Sequence, residues 1–266
     1  GHVVHLGDRD CTMQRRHQKL VEESPAPGLT ERQWAVLRQA SVSLAQEAGY
    51  QNAGTVEFML DADSGDLFFL EVNARLQVEH PVTELVTGLD LVALQLQLAQ
   101  GLGLEDLVPE ALLRGDRSAL RGCAVEARIV AEDPARGFLP GSGRILGWAE
   151  PRGPFVRVDT GYGPGASVPQ TYDSLLAKLI VYGRTRSEAL DRLKGALLDF
   201  HILGVPTNIA FLLEAIGHGD FLEAAITTKW VEEEMFEWTP VDTVPDELGL
   251  LAHSAVGTGA ITASKA

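Results

Sequence analysis

Two glutamates on neighbouring predicted strands are the first residues whose types and spacing suggest chemistry. Segments 55–60 and 67–73 alternate in polarity and flank a turn rich in Asp, Ser and Gly, so they predict a β-hairpin. Pairing centred on Ser64 places Glu57 directly opposite Glu71. Two carboxylates that face each other across a ladder repel unless a cation lies between them.

The facing carboxylates predict a divalent cation. In the same register Asn73 shares their face, while Val56 and Phe58 lie on the opposite face with Leu70 and Val72. Two carboxylates and an amide oxygen suit Mg²⁺, which completes its shell with phosphates and water. The alternative is a slipped register, or a solvated face on which the two carboxylates share no ion.

The segment that follows the hairpin, residues 75–81, carries a second group of polar side chains. If this segment continues extended, Arg75, Gln77 and Glu79 project to the acidic face of the hairpin. The fork of Arg75 suits a planar oxyanion such as bicarbonate, and Glu79 lies close enough to act as a base toward it. The alternative is an Arg75–Glu79 ion pair on an exposed loop.

Two further parts of the sequence carry basic residues whose positive charge requires a partner. Residues 9–19 concentrate basic side chains in an acidic chain, which indicates either bound anions or a solvated basic loop. Arg128 lies inside the apolar segment 124–131, where its guanidinium requires a partner. That partner is predicted to be Glu126 or a substrate.

The elements that must position these residues begin with helices. Thr30 heads a capping box that predicts a helix ending before Gly49. Residues 82–99 predict a helix in two pieces around Gly88, and the polar stretch 101–122 is the best internal boundary.

The second half reads as a small α+β unit. A second capping box, Thr185–Glu188, predicts the start of a helix, and from Thr239 the composition predicts a linker. Four short strands are predicted at residues 124–131, 144–148, 155–160 and 176–182.

Composition limits the possible function classes. The 266 residues carry a formal net charge of −15, which argues against general binding to nucleic acid or anionic membranes. The two cysteines do not form a zinc motif, no basic and apolar leader is recognised, and the apolar runs are too short for a membrane span. A cytoplasmic location is therefore expected. Val3–Leu6 resembles a strand already under way, which predicts a truncation at the N-terminus.

The longest motifs resemble the biotin carboxylase component of biotin-dependent carboxylases. The blocks follow the order of that family between about residues 3 and 235. They are Arg9–Lys19, Glu22–Pro27, Glu71–Glu84, Glu126–Pro134, Tyr172–Ser174 and Gly204–Asn208.

The resemblance implies an α+β fold. Residues 1–100 would be the later half of an ATP-grasp domain and 101–118 a connecting segment. Residues 119–235 would be the biotin carboxylase C-terminal domain and 236–266 a linker or tail. In that family ATP phosphorylates bicarbonate to carboxyphosphate, which releases CO₂ and phosphate. Phosphate then helps to deprotonate biotin, and the biotin enolate attacks CO₂.

The resemblance also implies residue roles. Mg²⁺ or Mn²⁺ would be held against the ATP phosphates by Glu57, Glu71 and Asn73. ATP would also contact Gln14 and His17. The bicarbonate pocket would comprise Lys19, Arg75, the amides of Gln77 and Val78, and Glu79 as general base. Arg128 would stabilise the biotin enolate.

Departures from the family pattern imply partners. The N-terminal domain, the Gly-rich lid and the upstream ATP-binding lysines have no counterpart, so the isolated chain is expected to be inactive. Ala74 replaces the usual Thr, and Lys265 lacks the Ala-Met-Lys-Met context of biotinylation. Biotin would therefore arrive on a carrier domain of another segment or chain. A carboxyltransferase subunit and a homo-oligomer are also expected.

The final acyl acceptor is the least determined property. The run His80–Glu84 favours an acetyl-, propionyl- or methylcrotonoyl-CoA carboxylase over a pyruvate or urea carboxylase. A different alternative is a truncated, non-catalytic module that only pairs with partner subunits.

Overall fold

The computed structural model describes residues 2–239. Its helices are α1 (Glu31–Glu47), α2 (His80–Thr87), α3 (Leu91–Ala99), α4 (Leu104–Leu107), α5 (Glu110–Leu113), α6 (Arg186–Leu198), α7 (Ile209–Ala215), α8 (Gly219–Leu222) and α9 (Trp230–Glu234). Its strands are β1 (Gln14–Arg15), β2 (Gln18–Lys19), β3 (Val21–Ser24), β4 (Thr55–Leu60), β5 (Leu67–Asn73), β6 (Cys123–Val130), β7 (Glu132–Asp133), β8 (Leu139–Pro140), β9 (Gly143–Arg144), β10 (Gly147–Ala149), β11 (Val156–Thr160), β12 (Ser167–Val168), β13 (Leu175–Gly183) and β14 (His201–Leu203). This mixture confirms the α+β class.

A four-stranded antiparallel sheet joins the two halves of the chain. Its strand order is β11-β13-β6-β3, so the early strand β3 completes a sheet whose other strands follow residue 122. One face, through Val125, Ala127 and Ile129, packs against α6 and α7. The other face, through Ala124 and Ile180, packs against α2. The domain limits stay a prediction, because a sheet shared by both segments does not locate a boundary.

Helix ends follow the capping signals. The capping box at Thr30 is complete, with its side chain accepting from Gln33 and the Gln33 side chain accepting from the Thr30 amide. Gly88 takes a left-handed conformation with φ of 74° and ends α2, which confirms the predicted break. At Thr185 only half of the box forms, because the Glu188 side chain accepts from Arg184 instead.

Several sequence predictions need correction or lie beyond the structure. Val3–Leu6 is not a strand, and the strand predicted at 144–148 is two short strands, β9 and β10. The connecting segment 101–118 contains α4 and α5. The predicted linker lies almost entirely outside the described residues.

No single helix in residues 2–239 is long and apolar enough to cross a membrane. The consecutive helices α2 and α3 pass the length and hydropathy test together, but they are bent by 91°. Helix α2 is largely buried against the four-stranded sheet, which accounts for its apolar composition.

Asn208 ties the end of β6 to the start of α7. Its side-chain oxygen accepts from the Val130 amide at 2.9 Å, and its Nδ2 donates to the Arg128 carbonyl at 2.9 Å. We expect Asn208→Ala to lower the free energy of unfolding by about 2 to 3 kcal/mol, because it leaves buried backbone groups unpaired. Urea denaturation followed by circular dichroism measures this loss.

Gln39→Ala on the exposed side of α1 is the control, with an expected change within about 0.5 kcal/mol. Equal losses of unfolding free energy in the two variants would contradict the stabilising role assigned to the Asn208 hydrogen bonds.

Candidate functional site

The acidic face of the β4–β5 hairpin is formed as predicted at its inner end. Glu57 pairs directly with Glu71, and Thr55 pairs with Asn73. Nδ2 of Asn73 donates to Glu57 at 3.3 Å and to Glu71 at 2.9 Å, so the three side chains share one face. This placement confirms the geometry on which the metal hypothesis depends.

The outer end of the hairpin departs from the predicted register. A β-bulge follows Glu57, and Phe58 pairs with Phe69 in place of Leu70. The bulge inserts one residue in β5, so every later pair is displaced by one. The apolar side chains at this end are exposed, including Phe68 and Leu70 at about half of their surface.

The segment after the hairpin does not continue extended. The β5 strand ends at Asn73 and the chain bends at Arg75, which is exposed. Within residues 2–239 the Arg75 side chain donates only to the neighbouring Leu76 carbonyl. The structure therefore contradicts both the shared face of Arg75 and Glu79 and their alternative ion pair. Gln77, in contrast, is buried and donates to Glu57 at 2.8 Å.

Glu79 is the centre of the site. Its side chain is 2% exposed, and it lies in the turn just before α2. Oε1 accepts from Nζ of Lys19 at 2.7 Å, and Oε2 accepts from the Arg128 guanidinium at 3.0 Å. The same Nζ of Lys19 donates to Glu57 at 3.1 Å. Lys19 therefore links Glu79 to the acidic hairpin.

The partner of Arg128 differs from the one expected. Its guanidinium pairs with Glu22 at 2.6 Å and with Glu79, whereas neither carboxyl oxygen of Glu126 has a hydrogen-bond partner in the part of the chain that the structure describes. Strand pairing explains the difference, because Glu22 lies on β3 directly beside β6. Arg128 thus crosses from the sheet to the turn that carries Glu79.

The charges in this cluster shift one another's pKa values. Burial raises the pKa of Glu79, but the hydrogen bond and charge of Lys19 outweigh that effect, and the net shift is downward. Burial raises the pKa of Glu22 to about 7, against the lowering effect of Arg128. Burial also raises the pKa of Glu126 well above its ordinary value, and the neighbouring Glu22 adds to that shift.

The predicted nucleotide contacts lie on the small β1–β2 hairpin. The side-chain amide of Gln14 donates to the Cys11 carbonyl at 3.4 Å, and His17 is exposed in the turn with a left-handed φ of 65°. Neither side chain touches Glu79 among the described contacts. Their role toward ATP stays a prediction.

The acidic face of the β4–β5 hairpin carries side chains that suit a divalent cation. Within residues 2–239 no group of three or more His, Cys, Asp or Glu side chains is arranged for a metal. Glu57 and Glu71 offer two carboxylates on one face, which suits an ion that also takes oxygens from phosphate and water. Asn73 presents its Nδ2 to both carboxylates here, so its side-chain amide would have to rotate for its oxygen to serve as a ligand. The acidic hairpin therefore remains the candidate metal site.

Residues that the sequence reasoning did not assign complete the site. Arg9 donates to Gln77 at 2.6 Å and to Thr55 and Thr83, so it fixes the side chain that contacts Glu57. Lys178 donates to the Val78 carbonyl at 3.0 Å. Arg9 belongs to the basic segment noted above, but its partners are 46 to 74 residues distant and no local pattern shows them.

Comparison with protein families agrees with the two segments joined in this structure. Residues 1–107 match the carbamoyl-phosphate synthase L chain ATP binding domain, and residues 126–233 match the biotin carboxylase C-terminal domain.

Curated relatives and solved structures point to the same family. Biotin carboxylase of Nostoc sp. is 46% identical over 233 residues, covering 88% of this chain and 50% of the relative. The mitochondrial methylcrotonoyl-CoA carboxylase subunit alpha of Oryza sativa is also 46% identical, covering 87% of this chain and 31% of the relative. The biotin carboxylase domain dimer of Hydrogenobacter thermophilus 2-oxoglutarate carboxylase, solved with MgADP, ADP and bicarbonate, matches with a TM-score of 0.82. That structure is 40% identical, covering 91% of this chain and 51% of that one.

Fold and site thus define a nucleotide-binding segment of the ATP-grasp type joined to a biotin carboxylase C-terminal domain. The chain belongs to the biotin carboxylase family. It spans about half the length of the biotin carboxylases that it matches.

The raised pKa of Glu22 predicts a pH dependence of stability. Its ordinary value is 4.5 and its folded value is about 7, so between these limits the folded state holds a proton that the unfolded state releases. Glu22 therefore adds to the free energy of unfolding fully below pH 4.5, and this added stability is lost as the pH rises through about 7. Between these two pH values the free energy of unfolding should fall as the pH rises. Replacing Glu22 with Gln should make this slope less steep by up to about 1.4 kcal/mol per pH unit.

Urea denaturation at a series of pH values measures the slope. The exposed Glu105→Gln is the control and should keep the slope of the unaltered chain. A Glu22→Gln variant with an unchanged slope would reject the assignment.

Proposed function

We propose that this chain forms part of an enzyme that carboxylates biotin with ATP and bicarbonate through carboxyphosphate. The observation that carries the proposal is the buried Glu79 carboxylate, held between Lys19 and Arg128 next to the acidic hairpin. Two cations beside the acidic hairpin could bind an anionic substrate, and the carboxylate between them could accept a proton from it. Family membership supports the same chemistry.

Glu79 is the proposed general base toward bicarbonate. In this structure Lys19 and Arg128 both pair with Glu79, and Lys19 is the cation that lowers the pKa of its carboxyl most. A bicarbonate bound to Lys19 would compete for Nζ and so return basicity to Glu79 at the moment when a proton must leave. The backbone amides of Gln77 and Val78 complete this proposed bicarbonate pocket. Arg75, which points elsewhere in this structure, would have to turn inward to join it.

The acidic hairpin is the proposed site for Mg²⁺ or Mn²⁺, held by Glu57, Glu71 and Asn73. When bound, the ion would neutralise charge on the ATP phosphates. Gln77 and Lys19 both hydrogen-bond Glu57 and so orient this carboxylate from the bicarbonate side. Gln14 and His17 are the proposed nucleotide contacts.

Arg128 is proposed to stabilise the oxygen of the biotin enolate. It lies on β6 of the four-stranded sheet, across the Glu79 turn from the acidic hairpin. Because Arg128 also pairs with Glu79, its removal should disturb the base as well as the biotin step. We therefore expect loss of Arg128 to reduce both bicarbonate-dependent ATP cleavage and biotin carboxylation.

The whole reaction requires groups beyond this chain. The chain spans half the length of its biotin carboxylase relatives, so we propose that activity needs the upstream half of an ATP-grasp domain. The exposed apolar end of the β4–β5 hairpin is a suitable surface for that half to cover. A biotin carboxyl carrier domain and a carboxyltransferase subunit are further proposed partners, and a homo-oligomer is supported by the dimer among the structural relatives.

The acyl acceptor is proposed to be an acyl-CoA. The relatives do not decide it, because a methylcrotonoyl-CoA carboxylase subunit is 46% identical and Caenorhabditis elegans pyruvate carboxylase 1 is 44% identical. The proposal therefore depends on the His80–Glu84 motif alone. The cytoplasmic location likewise stays a prediction.

The base assignment is tested by Glu79→Gln in the chain fused behind the upstream half of the Nostoc relative. Glutamine keeps the shape but not the basicity, so kcat for bicarbonate-dependent ATP cleavage should fall by about 10²- to 10⁴-fold. The KM for ATP should change little. Steady-state assays at saturating bicarbonate measure both constants.

Glu23→Gln is the matched control, because Glu23 is also a buried carboxylate paired with an arginine but faces Arg186 outside the site. A near-normal kcat for Glu79→Gln at saturating bicarbonate would reject the base. A folded fusion protein without bicarbonate-dependent ATP cleavage would favour the non-catalytic alternative.

A further inference from the structure

Lys178 crosses from the second half of the chain to the turn that carries Glu79. It lies on β13, opposite Arg128 on one side and Asp159 on the other. Its side chain is 12% exposed, and Nζ donates to the Val78 carbonyl at 3.0 Å. Nζ also lies 3.3 Å from a carboxyl oxygen of Asp159.

The carbonyl that Lys178 holds belongs to the peptide unit that ends at the Glu79 amide. A peptide unit is planar, so fixing the Val78 oxygen also fixes the direction of the Glu79 N–H and the position of its Cα. The Glu79 N–H lies close enough to its own carboxylate to contribute to lowering the pKa of that group. The lysine contact therefore determines where the Glu79 side chain begins.

A second set of contacts makes this anchor rigid. Arg157 pairs with Asp159 through two hydrogen bonds of 2.7 and 2.9 Å, and Asp159 in turn faces Lys178. Arg157 also donates to Glu84 in α2 at 2.7 Å. The turn and the helix that follows it are thus held by two cations from the same sheet.

We propose that Lys178 is a positioning residue for the bicarbonate pocket, acting through the Val78 peptide on Glu79. The inference rests on the proposed function, because it assigns the purpose of holding this turn to bicarbonate chemistry. Lys178 itself touches neither substrate nor metal in the proposal. If its role were only structural, its loss would reduce stability without a specific effect on bicarbonate.

The first test uses the chain as it stands. Hydrogen–deuterium exchange is compared for the unaltered chain, Lys178→Met, Lys178→Arg and Arg186→Met. We expect Lys178→Met to accelerate exchange in the peptide covering residues 77–83 by roughly 10-fold, since the carbonyl anchor is lost. Lys178→Arg restores a donor and should recover most of the protection.

Arg186→Met is the matched control. It removes another well-paired cation, whose described partners are the Glu23 carboxylate and the Phe221 and Leu222 carbonyls, not the turn. It should leave exchange in residues 77–83 unchanged. Equal exchange there in Lys178→Met and the unaltered chain would overturn the anchoring step.

The second test uses the fusion with the upstream half. A displacement of the base by about 1 Å can reduce turnover by about 10²-fold, so kcat/KM for bicarbonate should fall about that far in Lys178→Met. The KM for ATP should remain within about twofold, and Lys178→Arg should recover most of the loss. A parallel rise in both KM values, or a loss matched by Arg186→Met, would overturn the positioning role.

The two tests separate this inference from the proposed function. If the unaltered fusion protein cleaves no ATP in response to bicarbonate, the proposed function fails, and the positioning role for bicarbonate fails with it. The exchange experiment would then still show whether Lys178 anchors the turn. If the fusion is active and Lys178→Met behaves like the unaltered protein, only the positioning role is overturned.

Discussion

The site depends on a carboxylate that is buried between two cations. Removing Glu79 from water costs several kcal/mol, and only close, hydrogen-bonded partners offset that cost. Those partners come from separate parts of the chain, Lys19 on β2 and Arg128 on β6, while Glu79 itself precedes α2. None of the three charges is well placed until all three segments have docked. The site is therefore complete only when the two halves of the chain are packed together.

The sheet register sets the spacing of the two cations. The Arg128 amide donates to the Leu20 carbonyl at 2.9 Å, directly after Lys19, and β3 continues this pairing along β6. Lys19, at the end of β2, and Arg128, on β6, therefore lie close enough for both to contact Glu79. A slip of one residue between β3 and β6 would turn Arg128 to the opposite, apolar face and leave Glu79 with one partner. The site therefore specifies the register as much as the core does.

Sequence patterns predicted the features that depend on residues close together in the chain. Capping and alternation located α1, the break at Gly88 and the ends of the β4–β5 hairpin, including the Glu57–Glu71 pair. The polar alternation beyond Asn73 was misleading, because the side-chain pattern continues although the strand has ended. The position of the bulge was equally hidden, since one extra residue changes pairing without changing composition.

Partners across distant strands could not be predicted in the same way. Glu126 is two residues from Arg128 and was an expected partner, yet Glu22, 106 residues away, takes that guanidinium. Pairing of charges on a sheet follows the strand neighbour, and a single sequence does not show which strands are adjacent. The residue pattern suggested the base role of Glu79 and the family resemblance the enolate role of Arg128, whereas the contact between these two residues came only from the structure.

Glu126 shows how the fold distributes its buried positive charge. Both of its carboxyl oxygens are buried without a partner among the described residues, although Arg128 and Lys178 lie on neighbouring positions of the sheet. An ionised carboxylate is costly there, and this burial is the main cause that raises the pKa of Glu126 well above its ordinary value. Both cations instead extend toward the Val78–Glu79 turn. Arg128 and Lys178, which could have paired with Glu126, thus hold the turn that carries Glu79, and Glu126 is left without a hydrogen-bond partner among the described residues.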